Sequence, residues 1–141
     1  MADQSYAGDL NPQDAWDLLR QEPNACLIDV RTAPEWQYVG LPMLDDLQKQ
    51  TLCVSWLDYP ANEVNPGFVE QVKQGGVRPD QTVLLICRSG ARSRSAAIAL
   101  TEAGFGRCIN VAEGFEGDKD ADGHRGTVGG WKQAGLPWSQ G

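Results

Sequence analysis

Residues 86–95 read Ile86-Cys87-Arg88-Ser89-Gly90-Ala91-Arg92-Ser93-Arg94-Ser95. A cysteine closes an apolar run and is followed at once by short and basic residues. A thiolate is a strong nucleophile, and its acidity and reactivity follow from whatever stabilises the negative sulfur. Gly90 permits a positive φ, so the chain can turn and direct successive backbone N–H groups inward. The helix that follows adds the positive potential of its N-terminus, which makes the loop an anion cradle. Arg88 and Arg92 add planar, charged forks suited to an oxyanion. Residues 81–112 carry Arg88, Arg92, Arg94 and Arg107 against Glu102 alone, so the patch is basic. The plainer alternative is a helix-capping loop with an incidental thiol, since cysteine often serves as a small buried hydrophobe. Its place directly before Arg-Ser-Gly-Ala-Arg favours the nucleophile. The one histidine, His124, is far away in sequence, and would form a protease-like couple with Cys87 only if its loop folded back.

The elements that must position this loop are those of a parallel α/β sheet. Residues 25–30 and Thr82-Val83-Leu84-Leu85-Ile86 are apolar runs without alternation, which predicts strands covered on both faces. Residues 51–54 and 107–111 supply two further strands. Asn11-Pro12-Gln13-Asp14 predicts a helix start, with an N-cap, proline in the first turn and an acid near the positive end. That helix stops at Pro23. Asn65-Pro66 repeats the start and Gly75-Gly76 the stop. An alanine-rich helix is predicted over 93–103, closed by Gly104. Strands alternating with helices give an α/β fold with a central, mainly parallel sheet. In such sheets ligands bind at the carboxyl edge, where Cys87 falls. Residues 34–50 are predicted as an extended connection and 113–130 as a long acidic, glycine-rich loop, a length usually functional or mobile.

Composition narrows the function classes. With 141 residues the chain is the size of one domain. Its formal charge of −7 and pI near 4.6 argue against nucleic-acid backbones and anionic membranes as partners. No stretch approaches the run of about 20 apolar residues that a membrane helix needs. The first residues show no basic region and no apolar core of a secretory signal, which predicts a cytoplasmic protein with free thiols. Cys26, Cys53 and Cys108 lie among apolar neighbours without metal-ligand spacing, so they are predicted to be small core residues and no metal is expected.

The loop Cys87-Arg88-Ser89-Gly90-Ala91-Arg92 resembles the active-site loop of the rhodanese family of sulfurtransferases. Leu27-Ile28-Asp29-Val30-Arg31 followed by Glu35-Trp36 is similar to the family's N-terminal signature. Glu113-Gly114 and Trp131-Lys132-Gln133-Ala134-Gly135-Leu136-Pro137 resemble its C-terminal end. The resemblance covers about 11–138, so it implies a single rhodanese-like domain over 1–141, a three-layer α/β/α fold with a central, mainly parallel sheet of 4–5 strands. It further implies that Cys87 attacks the outer sulfur of thiosulfate or a similar anionic donor and carries a persulfide. A thiophilic acceptor, cyanide or a thiol, then removes the sulfur. The substrate-binding wall implied is Arg88, Ser89, Gly90, Ala91, Arg92 and Ser93, through backbone N–H groups and the two arginine forks. No cofactor is implied.

Loop length separates this chemistry from that of cysteine phosphatases, which need C-x5-R. The arginines here fall one, five and seven positions after Cys87, and the required place is taken by Ser93. The rival from another class is a sulfur-relay or interaction module, in which Cys87 takes persulfide sulfur from a protein partner. The chain departs from the family in two places. Val39-Gly40-Leu41-Pro42 stands where many members carry Gly-His-Ile, and about 116–130 is an insertion. Within it, Asp118-Lys119-Asp120-Ala121-Asp122-Gly123 matches half of a calcium loop, but Gly129 occupies the place of the bidentate glutamate, and a polar surface loop is the better reading. Asp29 with Arg31 is predicted to be a structural pair at the carboxyl edge. Trp56, Tyr59 and Phe68 are predicted to pack in the core rather than to roof the site.

Overall fold

The computed structural model describes residues 6–58, 63–125 and 127–139. In chain order its elements are β1 (Gly8–Leu10), α1 (Pro12–Gln21), β2 (Cys26–Asp29), α2 (Ala33–Tyr38), β3 (Leu41–Pro42), a 3-10 turn (Asp45–Leu47), β4 (Leu52–Cys53), β5 (Leu57–Asp58), β6 (Glu63–Val64), α3 (Phe68–Gln74), β7 (Thr82–Ile86), α4 (Ala91–Glu102), β8 (Arg107–Val111) and β9 (Trp138–Ser139). Five strands form one sheet in the order β1-β8-β7-β2-β4, every pairing parallel. The expected α/β fold with a parallel central sheet is therefore observed.

The apolar run of β7 lacks alternation because both of its faces are covered. Val83 and Leu85 join Phe68, Val72, Ala96, Ala97 and Leu100 in one cluster, beneath α3 and α4. Leu84 and Ile86 join Ala15, Leu19 and Trp131 in a second cluster, beneath α1. Each fully buried aliphatic of this kind contributes roughly 1.5–3 kcal/mol, far more than the short antiparallel pairs β3–β9 and β5–β6 can add. Trp56 and Phe68 meet edge to face, 5.2 Å apart, with Phe68 buried in the core and Trp56 half-buried against it. Tyr59 lies outside the described residues.

Local chemistry explains the boundaries. Asn11 caps α1 as expected, its Oδ1 accepting the Asp14 N–H at 2.8 Å. α3 begins later than the Asn65-Pro66 signal. Asn65 is buried and ties the preceding turn together instead, accepting the Gly67 N–H and donating to the Ser55 carbonyl and Gln71. α4 begins at Ala91, two residues earlier than expected, because Gly90 adopts φ 112° and completes the turn at once. The segment expected to be extended from residue 34 opens with α2, which carries the capping-box spacing Thr32-x-x-Glu35 and a proline in its first turn. β1 was not expected; it adds an edge strand beside β8. Among the described residues of 113–130 there is neither helix nor strand. No helix among the described residues is long and apolar enough to cross a membrane.

Candidate active site

Cys87 follows the last residue of the central strand β7, at the carboxyl edge of the sheet, and is buried with 1% exposure. The register puts Asp29 beside Ile86, so Val30 and Arg31 reach the same edge. Two donors address the Cys87 sulfur. The Gly90 N–H lies 3.1 Å from Sγ, and the Ser93 hydroxyl 3.2 Å. Both come from the turn into α4, where the sequence placed the anion cradle.

Ser93 is fully buried, and its one hydroxyl proton has three acceptors in reach. These are Cys87 Sγ, the Gly90 carbonyl at 3.3 Å and Asn110 Oδ1 at 2.5 Å. Asn110 in turn donates to Asp9 Oδ1, which also accepts from the Tyr6 hydroxyl. A polar chain thus runs from β1 through β8 to the sulfur. Asn110 was missed by sequence reasoning, although an asparagine inside the apolar strand Arg107-Cys108-Ile109-Asn110-Val111 is the kind of buried polar residue that must have a partner.

The loop is braced from below by the turn after β8. Phe115 N–H donates to the Cys87 carbonyl at 2.8 Å, and Glu116 N–H to the Arg88 carbonyl at 3.0 Å. Both elements approach so closely that only glycine fits. A Cβ on Gly90 would lie 2.2 Å from the Ala112 carbonyl oxygen, and one on Gly114 would lie 2.5 Å from that of Cys87. This explains the Glu113-Gly114 pair of the sequence. Glu113 itself accepts the Gly130 N–H, and Trp131 N–H donates to the Gly114 carbonyl, so the segment before the C-terminus closes under the same loop.

The expected wall residues occupy different environments. Arg88 is exposed, Ser89 half-buried, Ala91 exposed. Arg92 turns to α2, where its two terminal nitrogens meet the two oxygens of Glu35 at 2.7 and 2.9 Å. Burial pushes the Glu35 carboxyl up, but the Arg92 hydrogen bonds and charge and the Thr32 contacts outweigh it and hold it below the ordinary glutamate value. The Glu35 hydrogen bonds and charge raise Arg92 correspondingly, against its burial. Asp29 and Arg31 form a fully buried bidentate pair, Nη2 to Oδ2 at 2.6 Å, and Arg31 also donates to the Gly40 carbonyl and stacks over Phe115. Its contacts are those of a strut under the loop.

The other cysteines differ from Cys87 in environment. Burial pushes Cys26 up to about 11 and Cys53 up to about 12, and raises Cys108 as well, so all three stay protonated and poorly nucleophilic near neutral pH. All four cysteines are unpaired thiols. His124 is exposed in the insertion, its N–H bonded to Asp120. The acidic calcium-like motif is ordered internally. Asp120 accepts from the Asp122 and His124 N–H groups and the Thr127 hydroxyl, and no cluster that could hold a metal occurs among the described residues.

Known proteins agree with this architecture. The family described as the STR4 middle domain matches residues 8–141. A thiosulfate sulfurtransferase GlpE of Actinobacillus succinogenes is 30% identical over 129 residues, covering 92% of this chain and 87% of that protein. The chain belongs to the rhodanese-like family. An uncharacterized protein of Rickettsia rickettsii is 38% identical over 125 residues, covering 88% of this rhodanese-like chain and 90% of the relative. The crystal structure of Rv0390 from M. tuberculosis superposes with a TM-score of 0.89 at 43% identity, covering 96% of this chain and 99% of that one. Its relatives place the chain in a sulfurtransferase-like family.

Proposed function

We propose that this protein is a sulfurtransferase that moves sulfane sulfur from thiosulfate or a similar anionic donor to cyanide or a thiol through a persulfide on Cys87. The observation that carries the reading is the Cys87 sulfur, which stands at the end of the central strand with the Gly90 N–H and the Ser93 hydroxyl aimed at it. A loop whose arginine falls five rather than six positions after the cysteine suits one sulfur atom better than a phosphoryl group. In the first half-reaction the Cys87 thiolate attacks the outer sulfur of thiosulfate. The S–S bond of the donor breaks, sulfite leaves with the electron pair, and Cys87–S–S⁻ remains. In the second, the acceptor attacks the outer sulfur of the persulfide. Thiocyanate or a new persulfide leaves, and the thiolate returns. This is covalent catalysis of the ping-pong kind, and the donors facing Sγ stabilise negative sulfur at both stages.

Thiocyanate formation from thiosulfate and cyanide tests the reading. Wild type turns over, with parallel double-reciprocal lines, and Cys87→Ser does not. Equal turnover by Cys87→Ser would overturn it.

A further inference from the structure

The positive charge of the Cys87 loop is distributed unevenly. Arg107, counted with the basic patch from the sequence, opens β8 at the opposite edge of the sheet and pairs with Glu22 at 3.0 Å, while Arg94 lies over the Tyr6 ring at 5.8 Å. Arg92 is taken end-on by Glu35, with both side chains only about one-fifth exposed (21% and 20%). Arg88 remains, exposed and without a side-chain partner among the described residues. Glu35 cannot swing away from Arg92 at will. It sits in the first turn of α2, where Oε1 also accepts the Thr32 N–H and hydroxyl at 3.2 and 3.0 Å. Arg92 belongs to the same short loop, five residues after Cys87, so its neutralisation removes a charge that the loop would otherwise present to a donor.

A bidentate carboxylate cancels the charge that a donor's oxyanion would otherwise meet. An incoming anion therefore finds the loop N–H groups and the Arg88 guanidinium, with Arg94 turned over Tyr6 and Arg92 taken by Glu35. Thiosulfate carries two negative charges, whereas a thiosulfonate, R–SO2–S⁻, or a persulfide, R–S–S⁻, carries one on its sulfur group. We propose that Glu35 is a specificity-determining residue, which by neutralising Arg92 tunes the Cys87 loop to sulfane-sulfur donors with a single negative charge in preference to dianionic thiosulfate. This inference rests on the persulfide reading above. With a thiosulfonate the Cys87 thiolate attacks the sulfane sulfur, the S–S bond breaks, and the sulfinate R–SO2⁻ leaves with the electron pair, giving the same Cys87–S–S⁻.

Methanethiosulfonate and thiosulfate differ chiefly by one charge, so they are the probes. Steady-state kinetics with each, cyanide as acceptor, are compared for wild type and Glu35→Gln. Glutamine keeps a carbonyl oxygen for the Thr32 cap, removes the charge, and puts an amide NH2 where Oε2 accepted from Arg92. Wild type has the lower KM for methanethiosulfonate. Glu35→Gln lowers the thiosulfate KM about tenfold, as expected for one unscreened charge near a protein surface, and lowers that of methanethiosulfonate less than about threefold. A lower wild-type KM for thiosulfate overturns the proposal, whether or not the variant folds. Equal changes with both donors, or impaired turnover with both, also overturn it and leave Glu35 a cap of α2. Wild type that releases no thiocyanate from either donor would instead overturn the persulfide reading itself.

Discussion

The Cys87 sulfur has two hydrogen-bond donors of different kinds, a backbone N–H fixed by the Gly90 turn and a hydroxyl that must choose among three acceptors. When the sulfur is negative, Ser93 gains most by pointing its proton at Sγ, because hydrogen bonds to charged groups contribute about 1.5–3 kcal/mol against about 1 for neutral ones. Ser93→Ala should therefore reduce kcat/KM for thiocyanate formation by at least about tenfold, read by steady-state kinetics; an unchanged value would assign sulfur stabilisation to the backbone alone. The place of the loop was legible in the sequence because it is contiguous, from Cys87 to Ser93. Its supports were not. Glu35 lies 57 positions from Arg92 and Asn110 lies 17 from Ser93, and only the fold brings them together. The sequence therefore counted Arg92 as an anion anchor when its fork is already occupied by Glu35.

Among the elements, the strands next to the loop were the most legible. β7 and β8 fall where their apolar runs place them, since a strand buried on both faces has no other use for such a run. The shorter elements were less so. β1 has three residues and takes its identity from β8, and α2 is a helix of six residues inside the stretch expected to be extended, its Thr32-x-x-Glu35 spacing too short a signal to stand against the turn residues around it. At the end of β2, Asp29 pairs with Arg31 of the turn into α2, both side chains fully buried. Removing one member of such a pair strands the other charge, at about 3–5 kcal/mol, whereas replacing both by apolar residues of similar volume is often nearly neutral. Urea denaturation of Arg31→Met should thus show a loss of that size, and Asp29→Leu combined with Arg31→Met should recover most of it. A single variant as stable as wild type would show that the strut contributes little.

At the scale of the molecule, the fold presents one sulfur atom at the carboxyl edge of a parallel sheet and presses a glycine-lined turn against its underside. Gly90 and Gly114 are the points of closest approach, and the second packs directly under the carbonyl of Cys87. The loop stays basic within an acidic chain: Glu35 takes Arg92, whereas Glu22 pairs with Arg107 at the far, amino end of β8. The insertion was legible as irregular, but not its internal order around Asp120, which arises from backbone N–H groups that no residue pattern marks. Cys87 is the carrier in this account because its sulfur stands at the carboxyl edge with the Gly90 N–H and the Ser93 hydroxyl aimed at it. The most direct test is the intact mass of the protein after incubation with methanethiosulfonate or thiosulfate, before and after cyanide, for wild type and Cys87→Ala. The account predicts a gain of one sulfur atom on wild type alone, removed by cyanide as thiocyanate. Sulfur retained on the Cys87→Ala protein, or no gain on wild type with either donor, would contradict it.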